Sequence, residues 1–153
     1  MFKNIIGIFI LLLNAPLLLA DGIVITDSWI REAPPTSRVL AGYFIVLNRD
    51  QKDHVIVSAK SKDFVGVEIH FSKVQQGMMK MEKQDNILLP EGEMFHFKPG
   101  GYHLMLIKPK RKLRSGDKVE IILRFEDGKE MSNTFIVRKD ISKPKQDTHN
   151  HRH

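Results

Sequence analysis

Two imidazoles and a group of thioethers sit in this chain at positions whose types and spacing suit a soft metal. In GGYHLMLIKP, residues 100–109, Tyr102, Leu104 and Leu106 alternate with His103 and Met105. A strand period of two puts the large apolar residues on one face and the histidine and methionine together on the other, which this reading turns toward solvent. In FVGVEIHFSKV, residues 64–74, the same alternation places Val65, Val67, Ile69 and Phe71 on one face, with Glu68, His70 and Ser72 opposite. Between them runs QQGMMKMEK, where Met79 and Met81 share a face if the segment is extended. Thioether sulfur is a poor ligand for Zn²⁺, Mg²⁺ or Ca²⁺ but suits Cu(I), and imidazole completes a mixed nitrogen and sulfur set. Two His and two Met without an anionic ligand would favour the monovalent ion over Cu(II). Such a set also leaves little room for a substrate, which suits carriage better than catalysis.

Taken singly, a strand histidine is usually an ordinary surface residue and a methionine a filler of gaps in cores. Met94 and Met131 accordingly read as packing residues, and His54 and His96 as non-ligands. The joint spacing of His70, Met81, His103 and Met105 sets those four apart.

The elements that must position them are strands. Short apolar-periodic runs are expected at 23–27, 42–47, 54–59, 65–73, 79–82, 93–97, 102–107, 118–124 and 132–137. They are separated by turn signals such as Gln76-Gly77, Pro99-Gly100-Gly101 and Glu126-Asp127-Gly128. No run beyond the N-terminal segment keeps a helical period, and no internal repeat occurs. The expected class is all-β, an antiparallel sandwich or barrel.

Composition narrows the chemistry further. With no cysteine, a thiol nucleophile, a zinc ribbon, an iron–sulfur cluster, a covalent c-type haem, a blue-copper thiolate and a cysteine lipid anchor are all excluded. The net charge of +6 reads mainly as a solvated surface, with docking to an acidic partner as the other reading. No basic stripe with interleaved aromatics suggests nucleic acid. Nor is there a nucleotide loop or a Ser-His-Asp context, so no enzyme class is indicated. Residues 1–20, MFKNIIGIFILLLNAPLLLA, combine Lys3, an apolar run broken by Asn14 and Pro16, and Ala20. They read as a secretory signal that leaves no stable membrane insertion after cleavage, with an uncleaved anchor as the competing reading. The domain is expected over 21–138. A disordered tail over 139–153 follows, in which His149, His151 and His153 alternate. That tail is either a polar end or a flexible Cu(II) site.

The spacing His70, ten residues, Met81, twenty-one residues, His103, one residue, Met105 matches H-x10-M-x21-H-x-M, the motif of the PCu(A)C-type periplasmic copper chaperones, which the chain resembles. DSWIREAPP, AGYFIVLN and KPGGYHLMLI are similar to the flanking signatures of that family. The resemblance implies Cu(I) ligation by His70, Met81, His103 and Met105 on a cupredoxin-like Greek-key β-barrel that lacks a cupredoxin's cysteine. It also implies a periplasmic location and delivery to the copper-centre subunit of respiratory cytochrome oxidase, with a thioredoxin-fold assembly factor as a second candidate partner. A periplasmic copper sink is the alternative. The chain departs from many relatives at Phe71 and Ser72, where a further methionine follows the first histidine.

Overall fold

The computed structural model describes residues 22–139. The expected signal segment, and the tail with His149, His151 and His153, lie outside the described residues. Ten strands form there: β1 (Ile23–Arg31), β2 (Val39–Asn48), β3 (His54–Lys60), β4 (Phe64–Gln75), β5 (Met78–Gln84), β6 (Ile87–Leu89), β7 (Met94–Phe97), β8 (Tyr102–Pro109), β9 (Lys118–Phe125) and β10 (Glu130–Arg138). All nine expected strands are present. The unforeseen one, β6, has three residues, too few to display a period of two. The expected end of β1 at Asp27 was too early. Asp27 takes φ 46 and the β1–β2 register shifts between Thr26 and Trp29, so a bulge bends the strand without ending it. That continuation carries Trp29 and Arg31 to the site.

The strands join one sheet in the order β5-β4-β8-β2-β1-β10-β9-β3-β6, with β7 paired to β2. Its pairings are antiparallel except β1 with β10, which run parallel, a correction to the wholly antiparallel expectation. Local turn signals show where the chain reverses, but not which distant strand becomes a neighbour. Strands β3 and β4 stand near opposite ends of the order, yet Val57–Ala59 residues and Val67, Glu68 and Ile69 line a common cleft of about 260 Å³. The sheet therefore curls on itself and encloses its core, as right-handed twist favours.

That core is filled by alternate residues. Phe44 stacks on Phe97 with centroids 4.1 Å apart and meets Phe135 edge-on at 5.7 Å. Leu104 and Leu106 of β8 are fully buried beside them. Burial of each such side chain contributes about 1.5–3 kcal/mol, so the face of β8 that bears His103 and Met105 is fixed by the opposite one. Two expectations need correction. Val65 is 66% exposed while Phe64 is buried: the β4–β8 ladder is interrupted opposite Lys108, whose φ of 50 breaks the alternation. Met94 is exposed, because short β7 buries Phe97 and leaves its first residue outside; Met131 does pack on the core. His54 is buried, with Nε2 2.6 Å from Asp50 Oδ2. Among the described residues no helix is long and apolar enough to cross a membrane.

Candidate metal centre

The centre is built on the outer face of β5, β4, β8 and β2. In the β4–β8 ladder His70 is directly opposite His103, and Glu68 opposite Met105. Directly opposed residues on one face lie within side-chain contact, and the two imidazole centroids are 6.0 Å apart. A metal–imidazole bond is about 2 Å long, so the rings can share one ion with little movement. The two-residue hairpin Gln76-Gly77, both at positive φ, returns β5 along β4 in the geometry that suits strand twist. It puts Met81 opposite Ser72, one step diagonally from His70.

Met81, His103 and Met105 line one cavity of about 230 Å³, together with Arg31, Ala33 and Val39. Three strands separate β5 from β1 in the pairing order. A cavity shared by Met81 and Arg31 thus requires the β4–β5 hairpin to curl over the sheet. This overturns the expectation of a solvent-facing His103. It is 4% exposed and His70 is 8% exposed, whereas Met81 remains 56% exposed. Alternation assigns a face; only the curled hairpin and its neighbours decide whether that face is covered.

Hydrogen bonds fix which nitrogen of each ring is free. Gly101 O lies 3.1 Å from His103 Nδ1, and a carbonyl only accepts, so Nδ1–H donates and Nε2 keeps its lone pair. Pro99 and Gly100 (φ 78) form a turn closed by Gly101 N–H donating to Lys98 O at 3.0 Å, the type II pattern with proline then glycine. The Pro-Gly-Gly segment therefore aims the carbonyl that sets the histidine. His70 Nε2 is 2.8 Å from Glu68 Oε2. An ionised carboxylate only accepts, so Nε2–H donates, and in the neutral ring that a metal requires the lone pair falls on Nδ1, a buried atom with no partner among the described residues. Two histidines thus present one unshared electron pair each, held in place by an acceptor behind the ring, the arrangement that orients metal-bound imidazoles.

The electrostatics agree. The hydrogen bond from His70, and then that from Lys83, hold the Glu68 carboxyl below its ordinary range. Burial holds His103 below the usual histidine value, against the opposing pull of Gly101, and so keeps its ring neutral. Sequence reading missed Glu68 as a site residue, although its position two before His70 on the same face was the available signal. It also missed Tyr43, whose ring lies 6.5 Å from His103 and 4.7 Å from Trp29, with the Arg31 guanidinium 5.4 Å from its centroid. Alternation in SWIR and AGYF was the signal there.

The arrangement offers an imidazole and two sulfurs on an open cavity, from His103, Met81 and Met105, with the His70 ring directly opposite His103. His96, Met94 and Met131 are not brought to it, and Phe71 packs against Tyr102 at 4.6 Å on the other face.

Residues 23–137 match the LpqE-like family. A relative from Leifsonia xyli subsp. xyli, Lxx21020, described only provisionally as a lipoprotein, is 31% identical over 124 residues, 80% of this chain and 73% of that protein. Among solved structures, the copper-bound PCuAC domain from PmoF2 superposes with a TM-score of 0.65 at 24% identity, over 77% of this chain and 93% of that one. The solution structure of CuI-DR1885 from Deinococcus radiodurans gives 0.57 at 24% identity, over 74% and 76%. The fold is therefore the cupredoxin-like fold of PCuAC domains, and by the match over nearly its whole described length the chain belongs to the LpqE-like family.

Proposed function

We propose that the protein is an exported, periplasmic carrier of Cu(I) that binds the ion through His70, Met81, His103 and Met105 and passes it on by ligand exchange. The observation that carries this reading is the pair of opposed histidines, each with one lone pair left free by a fixed acceptor, beside a cavity lined by two thioethers. Two thioethers and two neutral imidazoles carry no charge to balance a divalent ion, and sulfur favours the softer Cu(I). Met81 stays largely exposed, so an incoming ligand reaches the ion while the buried histidines still hold it. That order of exchange is what a carrier needs; a fully enclosed ion would be stored. The relatives by fold that are described as bound to copper support the cargo, and the lipoprotein description of Lxx21020 supports export.

The acceptor in this proposal is the copper-centre subunit of respiratory cytochrome oxidase, with a thioredoxin-fold assembly factor as a second participant. A deletion strain grown at limiting copper should lose oxidase activity and recover it when copper is added. Unchanged oxidase activity, with sensitivity only to excess copper, would leave a copper sink instead.

The tail forms a separate proposal, a Cu(II) site from His149, His151 and His153. Removing residues 143–153 should abolish additional Cu(II) uptake in equilibrium dialysis and leave the Cu(I) stoichiometry at one. Loss of the Cu(I) ion with the tail would show that the two sites are not separate.

A further inference from the structure

Next to the candidate metal centre a groove of about 450 Å³ is lined by Arg38, Lys108, Lys110, Arg111 and Lys112. All five cations are exposed. They come from two segments, the KPKRK run that leaves β8 and the residue before β2, and Lys108 N–H ties the two by donating to Arg38 O at 2.7 Å. At that seam Lys108 takes φ 50, a left-handed conformation glycine would adopt without strain. A strained residue kept at such a position points toward function.

Two carboxylates adjoin the groove, and one cation occupies both. Arg111 Nε donates to Asp63 Oδ1 at 2.8 Å, Nη1 to Asp117 Oδ2 at 3.5 Å and Nη2 to Lys118 O at 3.0 Å. Asp117 also accepts from the Arg114 backbone N–H at 2.8 Å. Among the described residues the side chains of Arg38, Lys108, Lys110 and Lys112 meet no carboxylate. Four unneutralised cations around one concavity focus a positive potential that an anionic partner would relieve.

The groove lies beside the metal cavity. Arg38 lines one and the next residue, Val39, lines the other. Met105 and Lys108 are three residues apart on β8, about 10 Å. We infer that this basic groove docks an acidic segment of the protein that exchanges copper with the chain, so that the partner's ligand arrives beside Met105 and Met81. The inference rests on the copper-carrier reading for the identity of the partner. A concave groove beside a metal cavity fits a polypeptide better than a lipid surface, and only a polypeptide brings a competing metal ligand with it.

The test uses the full chain and two labelled peptides, hexaglutamate and hexalysine, followed by anisotropy with and without Cu(I). Hexaglutamate should bind and be released by 0.5 M salt, and hexalysine should not bind. The variant Lys108→Gln/Lys110→Gln/Lys112→Gln should weaken hexaglutamate at least tenfold. The variant Arg49→Gln/Lys52→Gln/Lys129→Gln, with the same change in net charge at the far end of β2, should bind like wild type. When hexaglutamate is extended by Met-His-Met as a Cu(I) acceptor, transfer from the loaded groove variant should be at least tenfold slower, with Cu(I) affinity unchanged in a chelator competition. Equal weakening by both variants, or equal transfer rates, would overturn the inference. So would binding of phosphatidylglycerol vesicles at this groove without binding of the peptide. If wild type held no Cu(I) while hexaglutamate still bound at the groove, the carrier reading would fail and the acidic-peptide site would stand.

Discussion

The double variant Met81→Ala/Met105→Ala should lose at least about a hundredfold in Cu(I) affinity in competition with a Cu(I) chelator. Residues that merely orient metal ligands already cost 10–100-fold when removed, and these two would supply donor atoms. The double variant is more decisive than either single one, because neighbouring Met79, 58% exposed on the same β5 face, could replace one lost sulfur. Folding should be preserved: Met81 is 56% exposed and Met105 is outside the buried core. X-ray absorption on the loaded wild type provides the complementary readout, with sulfur in the first shell and an edge typical of monovalent copper. Unchanged affinity in the variant, or a shell without sulfur, would remove the basis of the carrier reading.

Glu68→Ala should weaken Cu(I) by about 10–100-fold without removing any ligand. The carboxylate fixes His70 with Nε2 protonated and the Nδ1 pair free; without it the ring can turn and the tautomers mix. Glu68→Gln retains an oxygen able to accept from Nε2–H but loses the charge, so it should fall between wild type and alanine. Nitrogen-15 shifts of His70 should show a single tautomer in wild type and a mixture in Glu68→Ala. If alanine alters neither affinity nor tautomer, Glu68 serves only Lys83, whose Nζ lies 3.1 Å from Oε1.

How much of this was legible depended on the range of the interaction involved. Period-two alternation in 64–75 and 102–109 put His70 with Glu68, and His103 with Met105, on common faces, because the direction of a strand side chain is set by its own backbone. Gln76-Gly77 marked the hairpin that returns Met81, since a two-residue turn of that type needs positive φ. Where alternation misled, at Phe64 and Val65, the cause lay on another strand, at Lys108. Met94 was misassigned because the character of a side chain does not report what covers it.

The sequence by itself determined the all-β class, nearly every strand, and the spacing of two histidines and two methionines that carries the family resemblance. These rest on local backbone geometry and on residue type, both of which are written along the chain. Only the tertiary structure decided that β8 lies between β4 and β2, that β1 and β10 run parallel, that the β4–β5 hairpin curls Met81 toward Arg31, and that Glu68 and Gly101 leave one nitrogen free on each ring. Those outcomes depend on which distant surfaces exclude water together and which buried polar groups must find partners, and such pairings are properties of the packed chain rather than of any one segment.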